Sequence, residues 1–405
     1  MISISTVLVM AGQGVIAPIL PLFARDFGVG TAAIGLTLST FALARLLLNV
    51  PLGVVSDRLG RRPLLIGGPL VTAIGMIGSG IAPDIYQLLA WRFVAGAGSA
   101  MYMTGAQIYL ADISTPLNRA RFIGTNQGAL LLGTSSGPAI GGAVAELWGL
   151  RAPFHVVGVA ALVAMVYAWA RLPETRGLVA EEAEAEAEAA RAAGRAGGAA
   201  RAGGRAWLRM IRSRDFFAVA WVTMSVFFTR TASRQTLVPV MAAARLGISA
   251  GALGAVFTMM SLVNMFLIAP AAVIADRWGR KWAIVPSGLL VALSLVMMAN
   301  ANGWALFLAA AVLMAVATGV AGPAPAAYAA DIAPPELRGL AMGLYRSSGD
   351  VGFLIGPPLL GAIADATSYG WGFGANALLI GAASLFFLVA ARETMGRGAA
   401  RPARA

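Results

Sequence analysis

Twelve apolar segments, each long enough to cross a lipid bilayer, constrain this chain more than any other feature of its sequence. A membrane-spanning helix needs about 20 mostly apolar residues. Charged residues make up only 12% of the chain, whereas a soluble domain typically has about 25%. The sequence therefore predicts an all-α integral membrane protein with 12 transmembrane helices, near residues 2–23, 33–55, 64–82, 86–112, 122–145, 153–171, 215–241, 250–275, 282–300, 304–331, 340–364 and 372–391.

The basic residues are distributed unequally between the two sets of loops. The odd-numbered loops carry Arg25, Arg151 and Arg245. The short even-numbered loops carry nine basic residues, namely Arg58, Arg61, Arg62, Arg119, Arg121, Arg277, Arg280, Lys281 and Arg338. The positive-inside rule then predicts a multi-pass protein of the cell inner membrane with both termini in the cytoplasm. The net charge of +12 follows from this topology, so the partner it indicates is the lipid bilayer and not nucleic acid.

An internal repeat relates the two halves of the chain at a constant spacing. The segment GVVSDRLGRRPLL from Gly53 returns as VIADRWGRKWAI from Val273, and the spacing of the aspartates is 276 − 57 = 219. Two six-helix halves of the same orientation are then related by a pseudo-two-fold axis along the membrane normal. The predicted division is a first half at 1–171, a cytoplasmic linker with a basic amphipathic segment at 172–214, a second half at 215–391 and a basic tail at 392–405.

Charged residues and glycines at the cytoplasmic helix ends form a set that we call the inner rim. Its members are Gly53, Asp57, Arg58, Gly60, Arg61, Arg62, Asp112 and Glu174, with the copies Asp276, Arg277, Gly279, Arg280, Asp331 and Glu393. Carboxylates and guanidiniums can pair bidentately, and an aspartate can also cap a helix of the opposite half. We expect such contacts to hold the cytoplasmic side closed. Basic loops that only fix topology would explain the arginines but not the acids.

The loop at Gly53–Arg62 resembles the G-x-x-x-D-R-x-G-R-R signature of the major facilitator superfamily, and LLAWRFVAGAGSA from Leu88 resembles the family's fourth-helix signature. The segment GTSSGPAIGG is similar to the fifth-helix signature of the family's drug antiporters; its residues are Gly133, Gly137, Pro138, Gly141 and Gly142. These glycines would allow a neighbouring helix to approach closely, and the proline would bend the helix. Static helix packing is the alternative explanation.

Ionisable residues at membrane depth are candidates for function. They are Arg45, Arg92, Arg230, Arg234, Arg346 and Asp350, and the uncharged polar candidates are Gln13, Gln107, Gln127 and Asn264. The resemblance implies that the first, fourth, seventh and tenth helices line a cavity. It also implies that Arg45 and Asp350 face each other across the two halves, whereas a local pair of Asp350 with Arg346 is equally compatible with the spacing.

The resemblance and the residues together indicate a secondary active transporter that works by alternating access. We expect proton-coupled efflux of small amphipathic compounds or drugs, by a monomer, with the proton as coupling ion. No P-loop, zinc signature or catalytic triad is recognisable, so we expect neither an enzyme nor a cofactor or metal. One alternative is an organic anion or metabolite transporter that uses the intramembrane arginines. Another is a non-transporting membrane receptor or scaffold.

Overall fold

The computed structural model describes residues 2–114, 119–175, 210, 212–334 and 337–394, and this part of the chain is built from helices. The apolar segments of about 20 residues form helices because, in a helix, the backbone N–H and C=O groups bond to one another and need no partner from the lipid. The helices of the first half are α1 (Ile2–Ile16), α2 (Leu20–Arg25), α3 (Thr31–Leu59), α4 (Arg62–Ile81), α5 (Ile85–Asp112), α6 (Arg119–Trp148) and α7 (Ala152–Arg171).

The second half repeats this order after the linker. Its elements are α8 (Arg214–Phe228), a π-helical segment (Thr229–Leu237), α9 (Val238–Leu246), α10 (Ala250–Arg277), α11 (Arg280–Ala299), α12 (Trp304–Ala321), α13 (Ala324–Ile332), α14 (Arg338–Ala366) and α15 (Tyr369–Ala390). Among the described residues, eight helical stretches are long and apolar enough to cross a membrane, and two of these, Arg214–Leu246 and Trp304–Ile332, combine several of the elements above. With the remaining helices, the order agrees with the predicted architecture of 12 membrane-spanning helices.

Two of the predicted spans are interrupted. The first was expected to be continuous over 2–23, but α1 ends at Ile16 and α2 begins at Leu20. The prolines at 18 and 21 each remove a backbone donor, which accounts for this break. The tenth span was expected to be continuous over 304–331, but it is interrupted where Gly322 adopts a φ of 39° before Pro323.

The seventh span contains nine consecutive residues of π-helix, from Thr229 to Leu237. Such segments are rare and occur frequently at functional sites. Buried side chains hold this one in place. Asn376, fully buried on α15, donates to the hydroxyl of Ser233 at 2.7 Å and accepts from that of Thr229 at 3.1 Å. The sequence predicted a plain helix here, and no local pattern distinguishes this segment.

The chain forms two compact units. Within the bounds Met1–Ile16, Thr40–Gly137 and Trp148–Ala206, the described residues of the first unit have a core around Leu65, Tyr102 and Tyr109. Within the bounds Ala17–Ser39, Pro138–Leu147 and Trp207–Ala405, the described residues of the second unit have a core around Ala283, Tyr328 and Phe387. The second unit therefore includes α2 and short pieces of α3 and α6 from the first half of the sequence.

Candidate functional site

In the first unit, the inner rim is organised around the buried guanidinium of Arg61. Its Nε lies 2.7 Å from Oδ2 of Asp112, with only 8% and 7% of the two side chains exposed. One further nitrogen donates to the carbonyl of Ser56 at 3.2 Å. Thr175 donates its hydroxyl to the same Asp112 oxygen at 2.8 Å. The pair thus joins the ends of α3, α4 and α5.

Glu174 caps the start of α4. Its two carboxylate oxygens accept from the backbone N–H groups of Arg61 and Arg62 at 2.9 and 3.0 Å. These groups lie at a helix N-terminus, where a negative charge is favourable. Gly60 precedes them with a φ of 97°, and a Cβ there would collide with the Glu174 carboxylate. The glycine of the loop signature is therefore required by the turn and by the cap together.

The second unit contains the same arrangement in its own copy of the inner rim. Arg280 contacts Asp331 at 3.2 Å and Asp276 at 2.6 Å. Glu393 accepts from the backbone N–H groups of Arg280 and Lys281 at 2.8 and 3.0 Å. Gly279 has a φ of 118° and lies against this carboxylate. The correspondence at 219 residues thus extends from the sequence to individual hydrogen bonds.

The described inner-rim contacts lie within one half each. The side chain of Asp57, the aspartate of the first loop, is outside the described residues, as are those of Arg119, Arg121 and Arg338. Gly53 has open space around it, and Arg58 and Arg277 are exposed. A contact from this rim to the opposite half stays a prediction.

On α5, Arg92 is buried with 4% exposure. Its guanidinium carbon lies 4.7 Å from the ring centre of Phe41, a cation–π distance, and one nitrogen lies 3.9 Å from the sulfur of Met76. Gly96 is close to the Phe41 carbonyl, so a side chain there would collide with α3. The fourth-helix signature thus holds α3 and α5 close together around a buried cation.

The glycines of α6 approach two different helices. A Cβ on Gly137 would lie 2.5 Å from the Cα of Gly14 on α1, and one on Gly133 would lie 2.7 Å from the Val7 carbonyl. Gly142 instead meets α10, where Gly254 is 2.9 Å from its would-be Cβ. Gly141 is buried. Along α6, the chain passes from the first compact unit to the second between Gly137 and Pro138 and returns to the first at Trp148.

The π-helical segment carries Arg230 and Arg234. Arg234 is half-buried, donates to the Ser261 hydroxyl at 3.3 Å and lies 5.6 Å from the ring centre of Phe257. Arg230 is exposed. Both arginines thus lie on the π-helical segment Thr229–Leu237.

The proposed coupling residues are placed on two helices. Arg45 is half-buried on α3 in the first unit, and Asp350 is half-buried on α14 in the second, where Arg346 is exposed. The pairing of Arg45 with Asp350, like the local pair of Asp350 with Arg346, stays a prediction.

The uncharged polar candidates differ in their contacts. Gln13 donates to the Ser99 hydroxyl at 3.2 Å, and Gln107 and Gln127 are exposed. Asn264 donates to the carbonyls of Met260 and Ala315, and its oxygen accepts from Thr318 at 3.2 Å. The amide of Asn264 therefore binds α10 to α12.

The sequence reasoning missed several polar contacts. Asp215 accepts from the Tyr328 hydroxyl and the Arg392 backbone, both at 2.8 Å. The sequence reasoning also missed Glu146 and Asp365, which cap helices at the opposite end from the inner rim. The internal repeat could have revealed them, since 365 − 146 = 219, but the signatures directed attention to the basic loops.

The major facilitator superfamily model matches residues 2–241 and 223–404 of this chain. The chain belongs to the major facilitator superfamily. An uncharacterised MFS-type transporter of Methanocaldococcus jannaschii is 23% identical over 362 residues, covering 89% of this chain and 90% of that protein. The multi-drug resistance efflux pump PmrA of Streptococcus pneumoniae is 32% identical over 152 residues, only 36% of this chain and 38% of the pump.

The fold of a solved facilitator agrees with this assignment. A crystal structure of a bacterial homologue of the human lysosomal transporter Spinster, in an inward-facing and occupied conformation, has a TM-score of 0.80 at 16% identity. The match covers 99% of this chain and 97% of that one. This protein is thus a multi-pass membrane transporter of the superfamily, whose members carry small-molecule substrates.

Proposed function

We propose that this transporter exports small amphipathic compounds, drugs among them, in exchange for protons. It works as a monomer in the cytoplasmic membrane by alternating access, with both termini in the cytoplasm. The similarity of one segment to a multidrug efflux pump supports efflux, and the basic loops support the orientation.

The observation that carries the proposal is the path of α6. Its antiporter-type motif passes from one compact unit to the other between Gly137 and Pro138. Glycines on both sides of this point touch the backbone of α1 and of α10. A proline removes one helical hydrogen bond, so bending is least costly here. A helix that packs closely on α1 of its own half and on α10 of the other half, with a weak point between these contacts, suits a cycle in which the contact with α10 opens while the contact with α1 holds.

Proton coupling is assigned to Arg45 and Asp350. Arg45 lies 57 − 45 = 12 residues from the inner rim on α3, and Asp350 lies 350 − 338 = 12 residues from it on α14. At 1.5 Å per residue, both are about 18 Å from that end. Protonation of Asp350 would weaken an ion pair with Arg45 and so link proton uptake to the conformational change.

Transport by proteoliposomes tests the proposal. Ethidium, a small amphipathic cation, is expected to move against an imposed pH gradient, and a protonophore should abolish this movement. Arg45→Asp and Asp350→Arg should each stop transport, and the double variant should restore it. If the exchange of Arg346 with Asp350 restores transport instead, the pair is local and the coupling proposal fails.

A second candidate function is transport of organic anions. The observation that favours it is the π-helical segment, which presents two arginines at membrane depth while Arg234 is held by an uncharged hydroxyl and an aromatic ring. Such a cation retains the capacity to bind an anionic substrate. Flux of a fluorescent organic anion that is lost in Arg234→Gln, with no ethidium flux, would favour this candidate. Absence of flux for both probes would favour a non-transporting receptor.

A further inference from the structure

The helix ends opposite the inner rim carry a second set of carboxylate caps, formed by Glu146 and Asp365. Together with the residues whose backbone N–H groups they bind, these acids form a set that we call the far end: Thr31, Ala32, Glu146, Gly251 and Asp365. All of them belong to the second compact unit. The two oxygens of Asp365, near the end of α14, accept from the backbone N–H groups of Thr31 and Ala32 at 2.7 and 2.8 Å. These N–H groups begin α3 and have no partner within their own helix.

The same contact occurs a second time between different helices. Glu146, near the end of α6, accepts from the backbone N–H of Gly251 at 2.9 Å, in the first turn of α10. The two acids are 365 − 146 = 219 residues apart, and their donors are 251 − 32 = 219 apart. Each acid therefore caps a helix of the opposite sequence half, and the repeat generates both caps.

The backbones beside the two caps are in close contact. A Cβ on Gly361 would lie 2.5 Å from the Thr31 carbonyl and 2.6 Å from the Cα of Ala32. A Cβ on its counterpart, Gly142, would lie 2.8 Å from the Ala250 carbonyl oxygen. Further along the same crossings, glycine 35 lies against the backbone of proline 357, and glycine 254 against that of proline 138. These pairs also differ by 219, so the crossings match over about two turns.

We propose that Glu146 and Asp365 are positioning residues of the transport cycle that hold the far end closed by capping α10 and α3. A transporter that works by alternating access must separate its two halves at one end to release substrate there. At the far end, separation of α3 from α14 and of α6 from α10 requires that both carboxylates leave their helix N-termini. Charge-assisted hydrogen bonds of this kind favour the closed state, because the carboxylate oxygens reach the backbone N–H groups only when the two helices are in contact.

Asp84 provides the matched control. It lies in an odd-numbered loop of the sequence, as the two caps do, and its Oδ1 accepts from the backbone N–H of Gln87 at 2.9 Å. This cap lies within α5, so opening of the far end leaves it intact. Asp84→Asn removes the same charge from the same kind of contact without any link between the two halves.

Cysteine labelling of intact cells tests the proposal, because the natural chain contains no cysteine. Thr31→Cys and, two turns deeper, Ser39→Cys are the reporters, since these residues are 5% and 4% exposed. With a membrane-impermeant maleimide, Asp365→Asn should raise the labelling rate at both sites about tenfold, as expected for the loss of one charge-assisted hydrogen bond. Glu146→Gln should act in the same direction, and the double variant should label fastest.

Asp84→Asn should label at the parental rate, and Asp365→Glu, which keeps the charge, should label more slowly than Asp365→Asn. Parental rates in Asp365→Asn, Glu146→Gln and the double variant would overturn the proposal, as would an equal increase in Asp84→Asn. If Asp365→Asn does not accumulate in the membrane, Glu146→Gln decides alone, because its crossing involves a different pair of helices.

Discussion

The inner rim and the far end use the same device in opposite ways. At the inner rim, Glu174 and Glu393 each cap a helix of their own half. At the far end, Glu146 and Asp365 each cap a helix of the other half. A carboxylate on a helix N-terminus can therefore either brace one half or tie two halves together. The sequence neighbours of the acid do not distinguish these roles, and only the partner helix does.

The largest effect should come from filling the close contacts of the far end. Gly361→Leu puts a side chain into the backbone of α3, so the far end cannot close. Transport should fall at least about 100-fold, which corresponds to a shift of about 2.8 kcal/mol towards the open state. Substrate uptake into proteoliposomes and maleimide labelling of Ser39→Cys measure the two consequences.

Gly343→Leu on the same helix is the control, because a Cβ at Gly343 meets nothing within 4 Å. It should transport at the parental rate. Parental transport by Gly361→Leu would show that the glycine crossing is not needed for closure, and the distinction between the two ends would then fail.

The next effect concerns the loop at the inner rim. Asp57→Asn should abolish transport while insertion and expression stay near normal, because we expect Asp57 to form a rim contact and not to take part in core packing. Asp276→Asn is the comparison, since the side chain of Asp276 is 58% exposed although it contacts Arg280. Normal turnover by Asp57→Asn would remove the argument that this rim acts as a gate.

A smaller effect separates the two copies of the inner rim. Asp112→Asn replaces the carboxylate beside the buried Arg61 by a neutral amide and should lower stability by about 2–3 kcal/mol. Asp331→Asn should cost about 1 kcal/mol, because Asp331 is 28% exposed and Arg280 keeps Asp276. Thermal unfolding in detergent measures which of the two variants loses more stability. Equal shifts of the unfolding midpoint would contradict the difference in burial.

The sequence predicted the features that depend on a local pattern of residues, namely the helix bounds and the grouping of the inner-rim charges. Helix α4 was placed at 64–82 and found at Arg62–Ile81, because Pro63 suits a first turn and apolar length fixes the rest. The inner-rim charges could be grouped because a repeated motif contains most of them. The π-helical segment could not be predicted, because the buried Asn376 that holds it lies 143 residues from Ser233. The far-end caps were contained in the repeat, but nothing local identifies Asp365 as the cap of Thr31.

Distances between paired spin labels at the two ends test the central claim most directly. One pair, Asp26→Cys with Thr367→Cys, lies on exposed residues of the far end, and the other, Leu59→Cys with Trp169→Cys, lies on exposed residues of the first-half inner rim. In the Glu146→Gln, Asp365→Asn background, the account predicts that the far-end distance increases by more than one helical turn, about 5 Å, while the inner-rim distance stays unchanged. An unchanged far-end distance, or an equal increase within the inner rim, would contradict it.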